Sequence, residues 1–209
     1  MPFFSDTDVC SQLKAIGRAF VLLFGLAFGV ITLFLVFLWE LQSQPPFTEA
    51  GPLEFTQSFL LAASASLYFF EAYRRPDLRP ALVLVAGFFT CMLIREQDYF
   101  LDFIQHGCWV YPALATAGLC LLYAGLNLRR TLAGLERFVR WKYFPYLLIG
   151  VVIVLAYSRL FGMRMVWEAL LSDKFTYNAK TAMEESSELL GYLLILTSAV
   201  LANTDKHLK

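Results

Sequence analysis

The chain has 209 residues, of which 58% are hydrophobic, 16% aromatic and 16% charged, with 17 basic and 17 acidic side chains. Water-soluble domains carry about a quarter charged residues, so this composition excludes an ordinary soluble domain and implies an all-α polytopic membrane protein forming a single transmembrane domain over 1–209. The net charge of zero says nothing as a total, because in a membrane protein the division of charge between the two faces is what matters.

Six apolar segments are long enough to cross a hydrocarbon layer, which takes about 20 helical residues. They run over 18–40, 55–73, 80–104, 109–128, 143–163 and 182–202. The first is too long for a signal-peptide core and has no small-x-small cleavage site after it, so it is expected to stay as a helix. Residues 3–16 before it read as a surface helix. Pro45 and Pro46 break the chain after the first segment, Pro76 and Pro80 bracket the turn after the second, and His106-Gly107 follows the third. Within the second, Glu71 has Arg74 and Arg75 one turn away, the spacing of a surface ion pair. Between the fourth and fifth segments, Arg129 to Lys142 intersperses Leu132, Leu135, Phe138 and Trp141 with charge, the pattern of a basic amphipathic helix lying on anionic lipid. Residues 164–175 form a second amphipathic stretch at the opposite face, placed as a lid just before the sixth segment.

With both ends in one compartment, twelve of the seventeen Lys and Arg residues, Lys206 and Lys209 among them, fall on the side of the termini. The opposite side, helix ends included, holds Arg95, Arg159, Arg164, Lys174 and Lys180, together with eleven of the seventeen acids, including Glu49 and Asp173. Positive charge is retained in the cytoplasm. Both termini are therefore expected there, in an arrangement suited to a bacterial inner membrane, and the outward face is the acidic one.

Two acidic clusters join directly to the apolar runs at that outer face. Arg95-Glu96-Gln97-Asp98 closes the third segment, and Glu184, Glu185 and Glu188 open the sixth. If the third segment is one helix, Arg95, Asp98 and Asp102 recur at i, i+3 and i+7 and share a face; Thr181, Glu184, Glu188 and Tyr192 form the matching stripe on the sixth. Arg159, Gln57 and Ser58 lie at similar depth. Two arginines could lock helices together through these acids, but five carboxylates are more than a lock needs. Surplus carboxylate is what proton transfer, general acid/base chemistry or a hard cation uses.

The expected site is an outward-opening polar cavity. In it Glu184, Glu185, Glu188, Glu96 and Asp98 supply acid/base groups, while Arg95, Arg159, Gln57 and Tyr192 hold a substrate. A divalent cation would take ligands from Glu184, Glu188, Asp98, Asp102 and His106, and oxygen donors favour Mg, Ca or Mn over Zn. No histidine or lysine lies mid-membrane, which excludes a bis-histidine haem and a retinal Schiff base. Cys10, Cys91, Cys108 and Cys120 contain no C-x-x-C pair, and His207 sits in the tail. Three functional readings stay open: an enzyme or binding protein acting on a polar or lipid head group at the outer leaflet, a small transporter or channel subunit using the acids for a coupling ion, and a helper subunit whose charges are structural. Membrane lipid and a second copy or partner membrane subunit are the expected partners; nothing points to nucleic acid.

Overall fold

The computed structural model describes residues 6–42, 47, 51–103, 105–171 and 177–204, which form helices and turns with no strand among them. In chain order the helices are α1 (Asp6–Gln42), α2 (Pro52–Arg74), α3 (Arg79–Glu96), α4 (Asp98–Asp102), α5 (Val110–Leu126), α6 (Leu128–Val139), α7 (Phe144–Val152), α8 (Ser158–Phe161), α9 (Arg164–Leu171) and α10 (Tyr177–Thr204). A π-helical turn at Ile153–Tyr157 links α7 to α8. His207, Lys206, Lys209, Glu49, Asp173 and Lys174 lie outside the described residues, as does the side chain of Cys10.

Three helical stretches are long and apolar enough to cross a membrane: Gln12–Gln42, Phe144–Phe161 and Tyr177–Thr204. The pair α5 and α6 meets the same test together but bends by 103° between its halves. α1 shows what kind of solvent it faces. Phe24 is 65% exposed and Phe28 72% exposed, and a helix that presents aromatic and aliphatic side chains over most of its surface belongs in hydrocarbon. No proline interrupts 6–42, so the expected surface helix over 3–16 and the first segment merge, from Asp6 onward, into a single rod.

α2 sits at the centre, packed between α3 and α10, while α5 covers the far side of α3 and α1 lies loosely against α10 and α2. Leu61, Tyr68, Phe89, Tyr192 and Ile195 are fully buried at this junction. Small residues set how closely the backbones approach, as in membrane helix pairs generally. A Cβ on Gly150 of α7 would come within 2.7 Å of the Gly191 carbonyl oxygen of α10, so glycine at both positions lets these two helices touch backbone to backbone. A buried polar seam follows the α2–α10 contact: the Tyr68 hydroxyl donates to Ser198 Oγ at 3.0 Å, Ser64 is fully buried, and Glu71 pairs with Arg75. Glu71 was expected in a surface pair. It is instead fully buried, with Arg75 only 9% exposed, because α2 is the helix that neighbours enclose on most sides.

Charge is sorted between the two ends of the bundle. The N-terminus of α2 and the C-terminus of α3 meet α8 and the start of α10 at one end, which holds the two acidic clusters. The turn between α2 and α3 meets α6 at the other, where Arg137 reaches Asp77. Glu40, at the end of α1, is fully buried at the acidic end and accepts hydrogen bonds from the backbone N–H groups of Phe47 at 3.0 Å and Leu53 at 3.3 Å. It thereby caps the start of α2, where free N–H groups and the helix dipole favour a carboxylate.

Candidate functional site at the acidic end

Four elements converge here. α10 contributes Lys180, Glu184, Glu185, Glu188 and Tyr192 on successive turns. α8 contributes Ser158 and Arg159, and the π turn that precedes it inserts a wider turn into the α7–α8 rod, a feature frequent at functional positions. Gly162 then makes room for α10: a Cβ there would stand 2.6 Å from the carboxyl carbon of Glu184. α2 brings Glu54, Gln57 and Ser58, and α3 ends in Arg95 and Glu96.

Arg159 bridges two carboxylates, Glu184 Oε1 at 2.8 Å and Glu188 Oε1 in closer contact. Lys180 Nζ reaches the other oxygen of Glu184 at 3.0 Å, and the Ser158 hydroxyl donates to Glu188 at 3.2 Å. A second group forms around Glu96, which pairs with Arg95 at 2.8 Å and accepts from the Tyr192 hydroxyl at 3.0 Å. The Gln57 amide donates to Glu185 at 2.6 Å and joins α2 to α10. Gln57 is fully buried, and its own carbonyl oxygen has no hydrogen-bond donor. The carboxylates lie deeper than the guanidinium groups: the side chains of Glu188 and Glu96 are 4% and 7% exposed, those of Arg159 and Arg95 43% and 42%.

The expected residues divide into two sets. Glu184, Glu185, Glu188, Glu96, Arg95, Arg159, Gln57 and Tyr192 are brought together, and the structure adds Glu54, whose electrostatic neighbours are Glu185, Glu96, Glu188 and Asp98, together with Ser158 and Lys180. Asp98 is exposed at the rim. Asp102 and His106 are not part of this set. The third segment is not one helix over 80–104: α3 ends at Glu96, and Gln97, with φ −92° and ψ 15°, starts the separate turn of α4. The Gln97 side chain donates to Ser58 Oγ at 2.6 Å and pins that break to α2. The shared face of Arg95, Asp98 and Asp102 is lost with helix continuity.

Asp102 instead accepts from the backbone N–H of Gly107 at 2.8 Å and contacts His106 Nδ1 at 2.7 Å. The Gly107 amide first, and His106 after it, hold the Asp102 carboxyl below the usual aspartate range. Gly107 has φ of 76°, a left-handed conformation that favours glycine. The His106 side chain is 96% exposed, as a solvated residue at a helix end should be. The five expected metal ligands therefore do not assemble. Glu184 and Glu188 are occupied by Arg159 and Lys180, Asp102 and His106 by each other, and among the described residues no three His, Cys, Asp or Glu side chains could hold a metal ion.

Lys180 and Glu54 were legible in outline. Lys180 precedes Glu184 by four positions, a spacing that puts both on one helix face, and Glu54 precedes Gln57 by three. Ser158 carried no such signal, because its role depends on the π turn. Comparison of the chain with protein-family models, with curated proteins and with solved structures found no match.

Proposed function

We propose that this chain is a polytopic membrane protein that crosses the bilayer six times with both termini in the cytoplasm, and that its outward acidic end binds a polar head group carrying positive charge at the outer leaflet. The observation that carries this reading is uncompensated charge. Among the described residues, and apart from Glu40 in its cap on α2 and the Arg164–Glu168 pair of α9, six carboxylates (Glu54, Glu96, Asp98, Glu184, Glu185 and Glu188) cluster here with Arg95, Arg159 and Lys180. Glu54 and Glu185 form no ion pair with any of them. Carboxylates in or near hydrocarbon are costly unless an opposite charge or a proton meets them, and a bound ammonium group supplies both the charge and the donors. A lipid-facing apolar groove of about 320 Å³ between α1 and α10 runs beside the cluster, with Leu33 and Phe37 on one wall and Ser186 and Leu190 on the other. Ser186 follows Glu185 on α10, so an alkyl chain in that groove lies alongside the turn that carries the acids.

The test is a thermal-unfolding titration in maltoside micelles with dodecylamine, with dodecanol as the uncharged control. Stabilisation by the amine alone, lost in Glu185→Gln and Glu54→Gln, supports the reading. Equal responses to both amphiphiles, or an amine response unchanged in both variants, would remove it. A second reading, transport coupled to a proton or ion, is favoured by the seam of Ser64, Tyr68, Ser198, Glu71 and Arg75 between α2 and α10, which continues the polar line of Gln57 inward. Polar groups buried across membrane depth mark ion and proton paths. Acidification of liposomes containing the protein, abolished by Glu71→Gln, distinguishes that reading from simple binding.

A further inference from the structure

The opposite end of the bundle carries a separate cationic groove. After α5 the chain turns by 103° into α6, and Thr131, buried at the bend, fixes the turn by donating to the Ala124 carbonyl at 2.8 Å. α6 then lies against the start of α3, where a Cβ on Gly134 would stand 2.8 Å from Ala81 Cβ. Thr131, Gly134 and Phe138 form its inward face, while Leu128, Leu132 and Val139 are all more than half exposed. This helix has a packed face, an apolar face open to lipid and a cationic face, as interfacial helices do.

Between α6 and the α2–α3 turn is a groove of about 430 Å³ whose charged walls are Arg130, Arg137 and Asp77, with Ala133 and Gly134 as its floor. Arg137 is held by Asp77 at 2.8 Å. Arg130, two turns earlier on α6, has no carboxylate partner among the described residues. Two guanidinium groups i and i+7 on one helix can grip a phosphate from the same side, each through paired N–H donors. The small floor residues leave space for it. We propose that this groove binds the phosphate of an anionic lipid head group, with Arg130 as the permanent donor and Arg137 exchanging Asp77 for the phosphate. Leu128 and Leu132, exposed on the opposite side of the same helix, seat α6 at the lipid interface, where head-group phosphates are the anions at hand, which favours a membrane lipid over a free anion. Asp77 acts as an internal competitor. The site lies at the far end from the carboxylates and stands independently of the function proposed for them.

The experiment uses the full chain in maltoside micelles and measures thermal stability and, by native mass spectrometry, lipids retained. Phosphatidylglycerol is compared with phosphatidylcholine of the same chains and with inorganic phosphate at equal concentration. Phosphatidylglycerol should stabilise and be retained selectively, inorganic phosphate should do neither, and the Arg130→Gln/Arg137→Gln variant should lose affinity on the order of tenfold. Asp77→Asn should bind at least as tightly as the parent. Arg130→Lys/Arg137→Lys, which keeps the charge and removes the fork, should fall between, and shows a loss of geometry without loss of the helix. A control pair, Arg18→Gln/Lys142→Gln, removes two charges that line a different groove between α1 and α7 and should leave lipid selectivity intact. The proposal is overturned if the control pair loses as much as the Arg130/Arg137 pair, if the latter retains full selectivity, or if inorganic phosphate alone reproduces the lipid effect.

Discussion

Replacing Arg159 by Gln removes the charge that joins α8 to α10 and tests how the acidic end is held. The guanidinium bridges Glu184 at 2.8 Å and Glu188 more closely. Taking one partner from a fully buried pair costs about 3–5 kcal/mol, because the other charge is left buried and unmatched. Two features reduce that figure. The arginine side chain is 43% exposed, and each acid keeps another donor, Lys180 at 3.0 Å for Glu184 and Ser158 at 3.2 Å for Glu188. The expected loss is therefore about 2 kcal/mol, nearer that of a single charged hydrogen bond. For a chain of this size it lowers the Tm by about 4–8 °C, measured by circular dichroism in maltoside micelles. The pairing itself is read from a double-mutant cycle. Glu188→Gln added to Arg159→Gln should cost less than the sum of the single changes, with a coupling of about 1–2 kcal/mol. Additive losses, or an Arg159→Gln variant within about 0.5 kcal/mol of the parent, would refute this account of how the acidic end is assembled.

Reporter fusions at residues 50 and 205 should report opposite sides of the membrane; the same side for both would exclude the six-crossing arrangement. Mg, Ca and Mn should leave the melting temperature unchanged relative to a chelator, since Glu184, Glu188 and Asp102 are engaged by Arg159, Lys180 and His106 and Asp98 stands apart from them at the rim; an ion that binds the native state alone at a hundredfold excess over Kd would instead add about 2.7 kcal/mol. Gly191→Leu forces a side chain against Val154 and the Gly150 carbonyl and should destabilise by about 1–3 kcal/mol, as overpacking does, whereas Gly118→Leu, which meets open space, should not. The Asp102 carboxyl titrates below its unfolded value, so the contact it makes with Gly107 stabilises the turn above that value and is lost as pH falls through the lower, folded pKa. The Gly107 amide resonance should move with a midpoint below about 3.9 and lose that titration in Asp102→Asn; a midpoint at or above the ordinary aspartate value would contradict the geometry.

Much of the architecture was legible along the chain because membrane helices are written in composition. The segment over 143–163 reappears as α7 through α8, that over 182–202 as the larger part of α10, and the basic run after Arg129 as α6. Hydrocarbon rewards long apolar stretches wherever they occur, and their ends are marked by charge and proline. The same local logic placed Glu184, Glu188 and Tyr192 on one stripe and matched it in depth with Arg95, Glu96, Gln57 and Arg159. It failed at Gln97. Period-3.6 reasoning assumed a continuous helix, whereas α3 stops short of Gln97, whose side chain bonds Ser58 on another helix, and Asp102 and His106 fall outside the site. It failed again at Glu71, whose neighbours in sequence give the ion pair but whose burial depends on α2 being enclosed. Which carboxylate meets which cation, the room Gly162 leaves for Glu184, and the groove between Arg130 and Arg137 all arise between elements distant in sequence. Spacing along one helix fixes a side chain's face, whereas its partner is fixed by how far and at what angle the next helix packs, and that is decided only when the whole bundle closes.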